Sequence, residues 1–253
     1  MGDPLVHIAT AAGVVRLTLD SQHNRNALST QLIDELHRAL DDTASAARAI
    51  VLGHAGPSFC SGADLKQRAA DGVPDSGPFI EVLERLMDAP CPTIAAVDGT
   101  VRAGGMGLMA ACDLIVVNPA VTFSLPEVRI GVAPAIVLVP LLRRVAASQL
   151  AATTLAAEPI DAATAQRIGL VTHVDTDVAG CVDRLVAAIT LGAPTALAES
   201  KRALWNLDTS DRGSAFAEMQ RLSESLFQSA DAQEGVRAFA EKRPPAWAQA
   251  SSR

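Results

Sequence analysis

Apolar and polar positions alternate from Leu5 to Leu19, through Val6, Ile8 and then Val14-Val15-Arg16-Leu17-Thr18-Leu19, with a break at Ala11 to Gly13. A period of two around a central turn predicts a β-hairpin. After a loop over Asp20 to Ala27 the period lengthens: Leu32, Ile33, Leu36 and Leu40 fall on one helical stripe, and Ser29 stands where an N-cap belongs. Ala49-Ile50-Val51-Leu52 is a continuous apolar run closed by Gly53, the pattern of a buried strand, and a loop follows from Gly56 to Gly62. Phe79 to Met87 reads as a helix closed by Pro90 and Pro92, Thr93 to Val97 as a strand, Gly104 to Ala111 as a helix and Leu114 to Val117 as a strand.

From Ala146 onward helical spacing dominates, over 147–157, 161–168, 179–192, 194–206 and 213–241, and only Leu170 to Val174 looks extended. The tail from Pro244 is expected to fray. Strands and helices in alternation, then helices alone, predict an α/β core followed by a helical region.

Composition narrows the function more than the fold. At 253 residues, 49% hydrophobic and 19% charged, the chain suits one large domain or one domain with a helical appendage. Its net charge of −7 offers no general field for nucleic acid or an anionic membrane, so an anionic ligand must be met locally. No apolar run has transmembrane length, and Met1 to Val15 lacks the cationic start and apolar stretch of a signal peptide; cytoplasmic residence is the expectation. Cys60, Cys91, Cys112 and Cys181 stand far apart, and the five histidines show no ligand spacing, which points to buried free thiols and no metal site.

Two segments suit a backbone that must approach a ligand closely. In Phe59-Cys60-Ser61-Gly62-Ala63-Asp64-Leu65-Lys66 a glycine permits a sharp turn that exposes the next amide. In Asp98-Gly99 to Gly104-Gly105-Met106-Gly107-Leu108 glycines open a helix whose first amides have no intrahelical partner. An amide from each would make a two-donor pocket for an oxyanion, although a glycine-rich helix start taken alone is more simply close packing.

Together these segments resemble the two principal signatures of the crotonase, or enoyl-CoA hydratase/isomerase, superfamily, the second running on to Ala111-Cys112-Asp113. The likeness extends to Asn24 to Leu28, to Leu125-Pro126-Glu127-Val128 with Gly131, to Asp161 to Val174, and to Glu234-Gly235 through Lys242-Arg243. It implies an α/β fold, a spiral of ββα turns over residues 1–190 with a C-terminal helical region over 191–253 that assembles trimers or pairs of trimers. It also implies a coenzyme A thioester substrate and no separate cofactor. By position, Ala63 and Gly104 would supply the oxyanion-hole amides and Glu127 the general acid/base. Ala63, Asp64, Leu65, Lys66 and Gly104 would lie along the acyl-CoA, with Arg25, Ala27 and a neighbouring subunit's Phe239 or Lys242 toward its nucleotide. On composition alone Arg25, Lys66 and Lys242 would each pass as solvated surface charges.

One position departs from the two-glutamate hydratases, which carry a second carboxylate where this chain has Gly107. Between Gly99 and Ala157 the only carboxylates are Asp113, which reads as a helix-to-strand linker, and Glu127, which follows Pro126 after the strand-like Val121 to Ser124. Three readings stay open: a single-glutamate enoyl-CoA hydratase of the methylglutaconyl-CoA hydratase type, an enoyl-CoA delta-isomerase using the same glutamate, and an acyl-CoA binder without catalysis. The absence of tyrosine argues against members that use a phenol. Ala133 to Pro140, strongly apolar, suits either the acyl pocket or a packed helix, and Arg102 either an acyl carboxylate or the surface.

Overall fold

A computed structural model describes residues 3–44, 46–71 and 75–249. The N-terminal alternation forms β1 (Val6–Ala11) and β2 (Val14–Leu19), turned through Ala12 and Gly13, both at positive φ. Ser29 caps α1 (Thr30–Thr43), its hydroxyl accepting from the Leu32 amide at 3.2 Å, and Leu32, Leu36 and Leu40 are buried along the stripe. Three repeats follow, each a pair of strands and then helical structure. The first is β3 (Ala49–His54), β4 (Ser58–Cys60), α2 (Leu65–Asp71) and α3 (Gly77–Asp88). The second is β5 (Thr93–Val97), β6 (Thr100–Arg102) and α4 (Gly104–Ala110); the third is β7 (Leu114–Val117), β8 (Thr122–Ser124), a 3-10 turn over Glu127–Ile130 and α5 (Ala135–Leu142).

Each repeat gives its first strand to one sheet and its second to another. The larger sheet has the order β1-β2-β3-β5-β7-β10, parallel except for the hairpin, where β10 is His173–Val174. The smaller has the order β4-β6-β8-β9, with β9 (Ile160–Asp161) antiparallel to β8. This is a spiral of ββα turns, as the resemblance implies.

Burial on both sides of the larger sheet explains the unbroken apolar runs of its strands. Ile50 and Leu52 enter the main core with α1, α3 and the smaller sheet, whereas Ala49 and Val51 face α8 (Val178–Thr190) through Val178, Cys181 and Val182. The four cysteines are free and buried. α6 (Ala147–Ala156), α7 (Ala162–Arg167), α9 (Pro194–Asn206), α10 (Arg212–Phe227), α11 (Ala230–Ala240) and α12 (Ala246–Gln249) complete the helical part.

Three details differ from the sequence expectation. The expected loop over Gly56 to Gly62 contains β4, and β6 and β9 were also unanticipated; two or three residues are too few to display a period. The stretch expected as one helix over 213–241 is two, because Ser229 caps a new start by accepting from the Ala232 amide at 3.1 Å. Within Leu170 to Val174 only the last two residues pair as a strand. Residues 250–253 of the expected fraying tail lie outside the described residues.

Candidate active site

The smaller sheet explains why residues 63, 104 and 127 meet. β4, β6 and β8 are adjacent and parallel, so their C-terminal ends emerge on one side of the molecule. Ala63 comes three residues after β4, Gly104 two after β6 and Glu127 three after β8. In an open parallel sheet that edge is where ligands bind.

The first two turns are pressed together. A Cβ on Gly62 would stand 2.5 Å from the Ala103 Cβ and 3.3 Å from the Gly104 nitrogen, and Gly62 has φ +92°. No other residue type accommodates both the approach and that conformation. Ala103, immediately before α4, has φ 49° and ψ −122°, a rare conformation for alanine that sets the direction of the next peptide. Leu28 pairs with the Ala63 turn by donating its amide to the Gly62 carbonyl at 2.8 Å. Among the described residues, neither the Ala63 nor the Gly104 amide donates to another protein group.

Glu127 begins the 3-10 turn that follows Pro126, and the Val132 amide closes that turn on the Glu127 carbonyl at 3.1 Å. Its Oε2 is buried without a hydrogen-bond partner among protein groups. Burial lifts this carboxyl above the usual carboxylate range, opposed only by its own backbone amide. Ala63, Gly104 and Glu127 line one cavity of about 560 Å³, a size suited to a small-molecule ligand. Its apolar wall comes from Leu28, Ile33, Phe79, Ile130, Ile136 and Val137.

The chain matches the enoyl-CoA hydratase/isomerase family over residues 9–250. A Rhodobacter capsulatus protein described as a probable enoyl-CoA hydratase is 35% identical, over 92% of this chain and 93% of its own. The mitochondrial methylglutaconyl-CoA hydratase of Mus musculus is 31% identical over 92% and 79%. The crystal structure of an enoyl-CoA hydratase from Mycobacterium smegmatis superposes with a TM-score of 0.89 at 30% identity, covering 97% of this chain and 99% of that one. The chain belongs to the enoyl-CoA hydratase/isomerase family, within the crotonase superfamily.

Of the other expected site residues of this crotonase member, two reach the cavity and three do not. Asp64 and Leu65 line it; Leu65 is exposed, and Asp64 caps α2 by accepting from the Lys66 and Gln67 amides, each at 3.1 Å. Those bonds hold the Asp64 carboxyl below its usual range, with the Gln67 amide the largest cause. Arg25, Ala27 and Lys66 do not line the cavity: Ala27 is buried, and Arg25 and Lys66 are exposed. Arg25 nevertheless adjoins the site, since its carbonyl accepts from the Ser61 amide at 3.1 Å.

Gly107 is buried in the middle of α4, and a Cβ there would stand 2.6 Å from the Val137 Cγ1 and 3.2 Å from the Val137 Cα. The second-carboxylate position is therefore filled by α5. Arg102 turns from the cavity and donates to the Thr122 carbonyl and hydroxyl. Ala133 to Val137 line the cavity, in keeping with the acyl-pocket reading of the apolar run Ala133 to Pro140, whereas Ile33 and Phe79 were visible in the sequence only as members of predicted helices. Sequence reasoning passed over Asp34, Asp75 and Arg129, which line the same cavity. Arg129 directs its guanidinium toward the Ala156 carbonyl at the end of α6.

Proposed function

We propose that this chain adds water across the double bond of a 2-enoyl-CoA thioester. One observation carries the reading: two unpaired amides and one desolvated carboxyl share a cavity at the end of the smaller sheet. The Ala63 and Gly104 amides donate to the thioester oxygen. Water bonds to C3 while Glu127 accepts a proton from it, and the C2–C3 π pair shifts to make an enolate whose charge the two amides hold. Glu127 then returns the proton to C2, the carbonyl re-forms, and the net change is H at C2 and OH at C3. Coenzyme A enters with the substrate, along Asp64, Leu65 and Lys66, with Arg25 near its phosphates.

The acyl group is uncharged. Among the described residues, Asp34, Asp64, Asp75 and Glu127 line the cavity against a single cation, Arg129, whose guanidinium is directed to the Ala156 carbonyl. At an effective dielectric constant near 20, like charges several ångströms apart cost on the order of 2 kcal/mol, so a glutaconyl-type thioester should react about tenfold or more slowly than an uncharged one of equal length. The second reading is double-bond migration by the same Glu127, favoured by Val137 over Gly107, which leaves no room at that position for a carboxylate to orient water.

Incubation with 2-enoyl, 3-enoyl and glutaconyl thioesters, followed by chromatographic separation and mass spectrometry, with the absorbance of the conjugated enoyl thioester recorded alongside, tests both points. A 3-hydroxyacyl product is expected from the uncharged 2-enoyl thioester. A 3-enoyl substrate converted only to its 2-enoyl isomer supports the second reading, and saturable binding without any product leaves a binder.

We also propose that the helical region from residue 191 assembles copies of the chain into trimers. α10 buries none of its residues, and Phe216, Phe227 and Phe239 are 70%, 74% and 87% exposed, a density of bare aromatics that favours a partner surface. Sedimentation equilibrium should return about three times the chain mass, or six if trimers pair, and a monomer would refute it.

A further inference from the structure

At the far end of α4 from the cavity, a buried set of charges joins the helical region to the core. Asp113 follows α4 by three residues, and its Oδ2 accepts from the Thr93 amide at 2.8 Å, the Thr93 hydroxyl at 3.0 Å and the Lys201 ammonium at 2.9 Å. Its Oδ1 accepts from the Trp205 indole N–H at 2.9 Å. Lys201 is 8% exposed and donates also to the carbonyls of Leu86 at 3.0 Å and Cys91 at 3.2 Å, so its three protons have three acceptors. Arg144, half-buried, donates to the carbonyls of Ala110, Cys112 and Asp113 at and just beyond the end of α4. The Trp205 ring stacks with that guanidinium, 5.2 Å away, and with Arg143 at 5.5 Å.

A buried ion pair is a weak source of net stability, because desolvation offsets the attraction; a fully hydrogen-bonded one fixes geometry. The geometry fixed here is that of α4. The helix has seven residues, a length of about 10 Å at 1.5 Å per residue, so a shift of its last turn is felt at its first. Its flanks leave no slack: a Cβ on Gly105 would stand 2.7 Å from the Cys60 carbonyl oxygen, and Gly107 is pressed against Val137. Lys201 and Trp205 both belong to α9, so they tie the placement of the helical region to the helix that opens with Gly104.

We infer that Lys201 and Trp205 are positioning residues for the Gly104 amide: through Asp113 they hold the C-terminal end of α4, and through α4 the direction of the N–H that meets the thioester oxygen. The inference rests on the oxyanion role proposed for Gly104. Neither side chain touches the substrate. Loosening them should weaken polarisation of the bound thioester while leaving the coenzyme A contacts, which lie on other turns, in place.

The test uses 2,4-hexadienoyl-CoA, whose conjugated absorbance moves to longer wavelength when its carbonyl is polarised. Wild-type protein should produce a red shift on binding. Lys201→Met should show a smaller shift and a kcat for a 2-enoyl thioester lowered about tenfold, short of the roughly 100-fold loss expected for removing an oxyanion donor outright, with KM nearly unchanged. Trp205→Phe, which removes one N–H donor and keeps an aromatic ring, should move both readouts in the same direction and carries the test alone if Lys201→Met does not fold. A full wild-type shift and kcat in both variants, with only the melting temperature lowered, would show the network to be structural and overturn the inference. No shift in wild-type protein would instead overturn the oxyanion reading, and the inference with it.

Discussion

Glu127→Gln will lower kcat for hydration by about 10³-fold while changing the affinity for a coenzyme A thioester little. The substitution preserves the shape of the side chain and removes its ability to take a proton. Steric loss therefore cannot account for a large effect. The wild-type carboxyl is desolvated, and its Oε2 has no protein partner, so its pKa is held above the ordinary carboxylate range. The base form is required in the free enzyme. kcat/KM must then rise with pH through a limb lying above that range and level off once Glu127 is ionised, whereas residual turnover in the glutamine variant should lack the limb. Loss of enoyl-thioester absorbance against pH measures both. Undiminished turnover in the variant would remove Glu127 from the chemistry, and an acid limb in the ordinary carboxylate range would remove the desolvation argument.

Much of the candidate site was legible because its parts are local. Gly62 and the glycines from Gly104 to Gly107 mark turns whose conformation the sequence dictates, and Pro126 before Glu127 marks the third. The strands that bring those turns together were not legible, apart from the strand-like run ending in β8. β4 and β6 have three residues each, too short to show periodicity, and only the sheet order reveals that three loops from different repeats share one edge. Contacts distant in sequence were equally hidden. Asp113 read as a linker because nothing near it signals the arrival of Lys201 and Trp205 from α9, and Ala133 to Pro140 read as apolar without revealing that Val137 rests on Gly107. The last third was recognisably helical, yet its division at Ser229 depended on one capping side chain and not on a proline or glycine.

Gly105→Ala should reduce kcat about 100-fold and lower the melting temperature by roughly 3 to 10 °C. In most helix interiors this exchange stabilises, by up to about 1 kcal/mol, because alanine loses less conformational entropy. Here the sign reverses. The added Cβ would stand 2.7 Å from the Cys60 carbonyl oxygen and 2.8 Å from the Cys60 Cβ, neither of which is the end of a flexible side chain. Cys60 is the last residue of β4, three before Ala63, and Gly105 directly follows Gly104. Relief of the overlap must move the end of β4 away from the start of α4, which separates the two amides proposed to share one oxygen. A misplacement of about 1 Å suffices for a loss of that size. Gly213→Ala near the start of α10, where a Cβ would meet only the Asp211 carboxylate at 3.5 Å, provides the control and should leave kcat unaltered. Steady-state rates and thermal melts on both variants check the argument: a Gly105→Ala protein that melts early yet turns over normally would mean that the two amides do not act together.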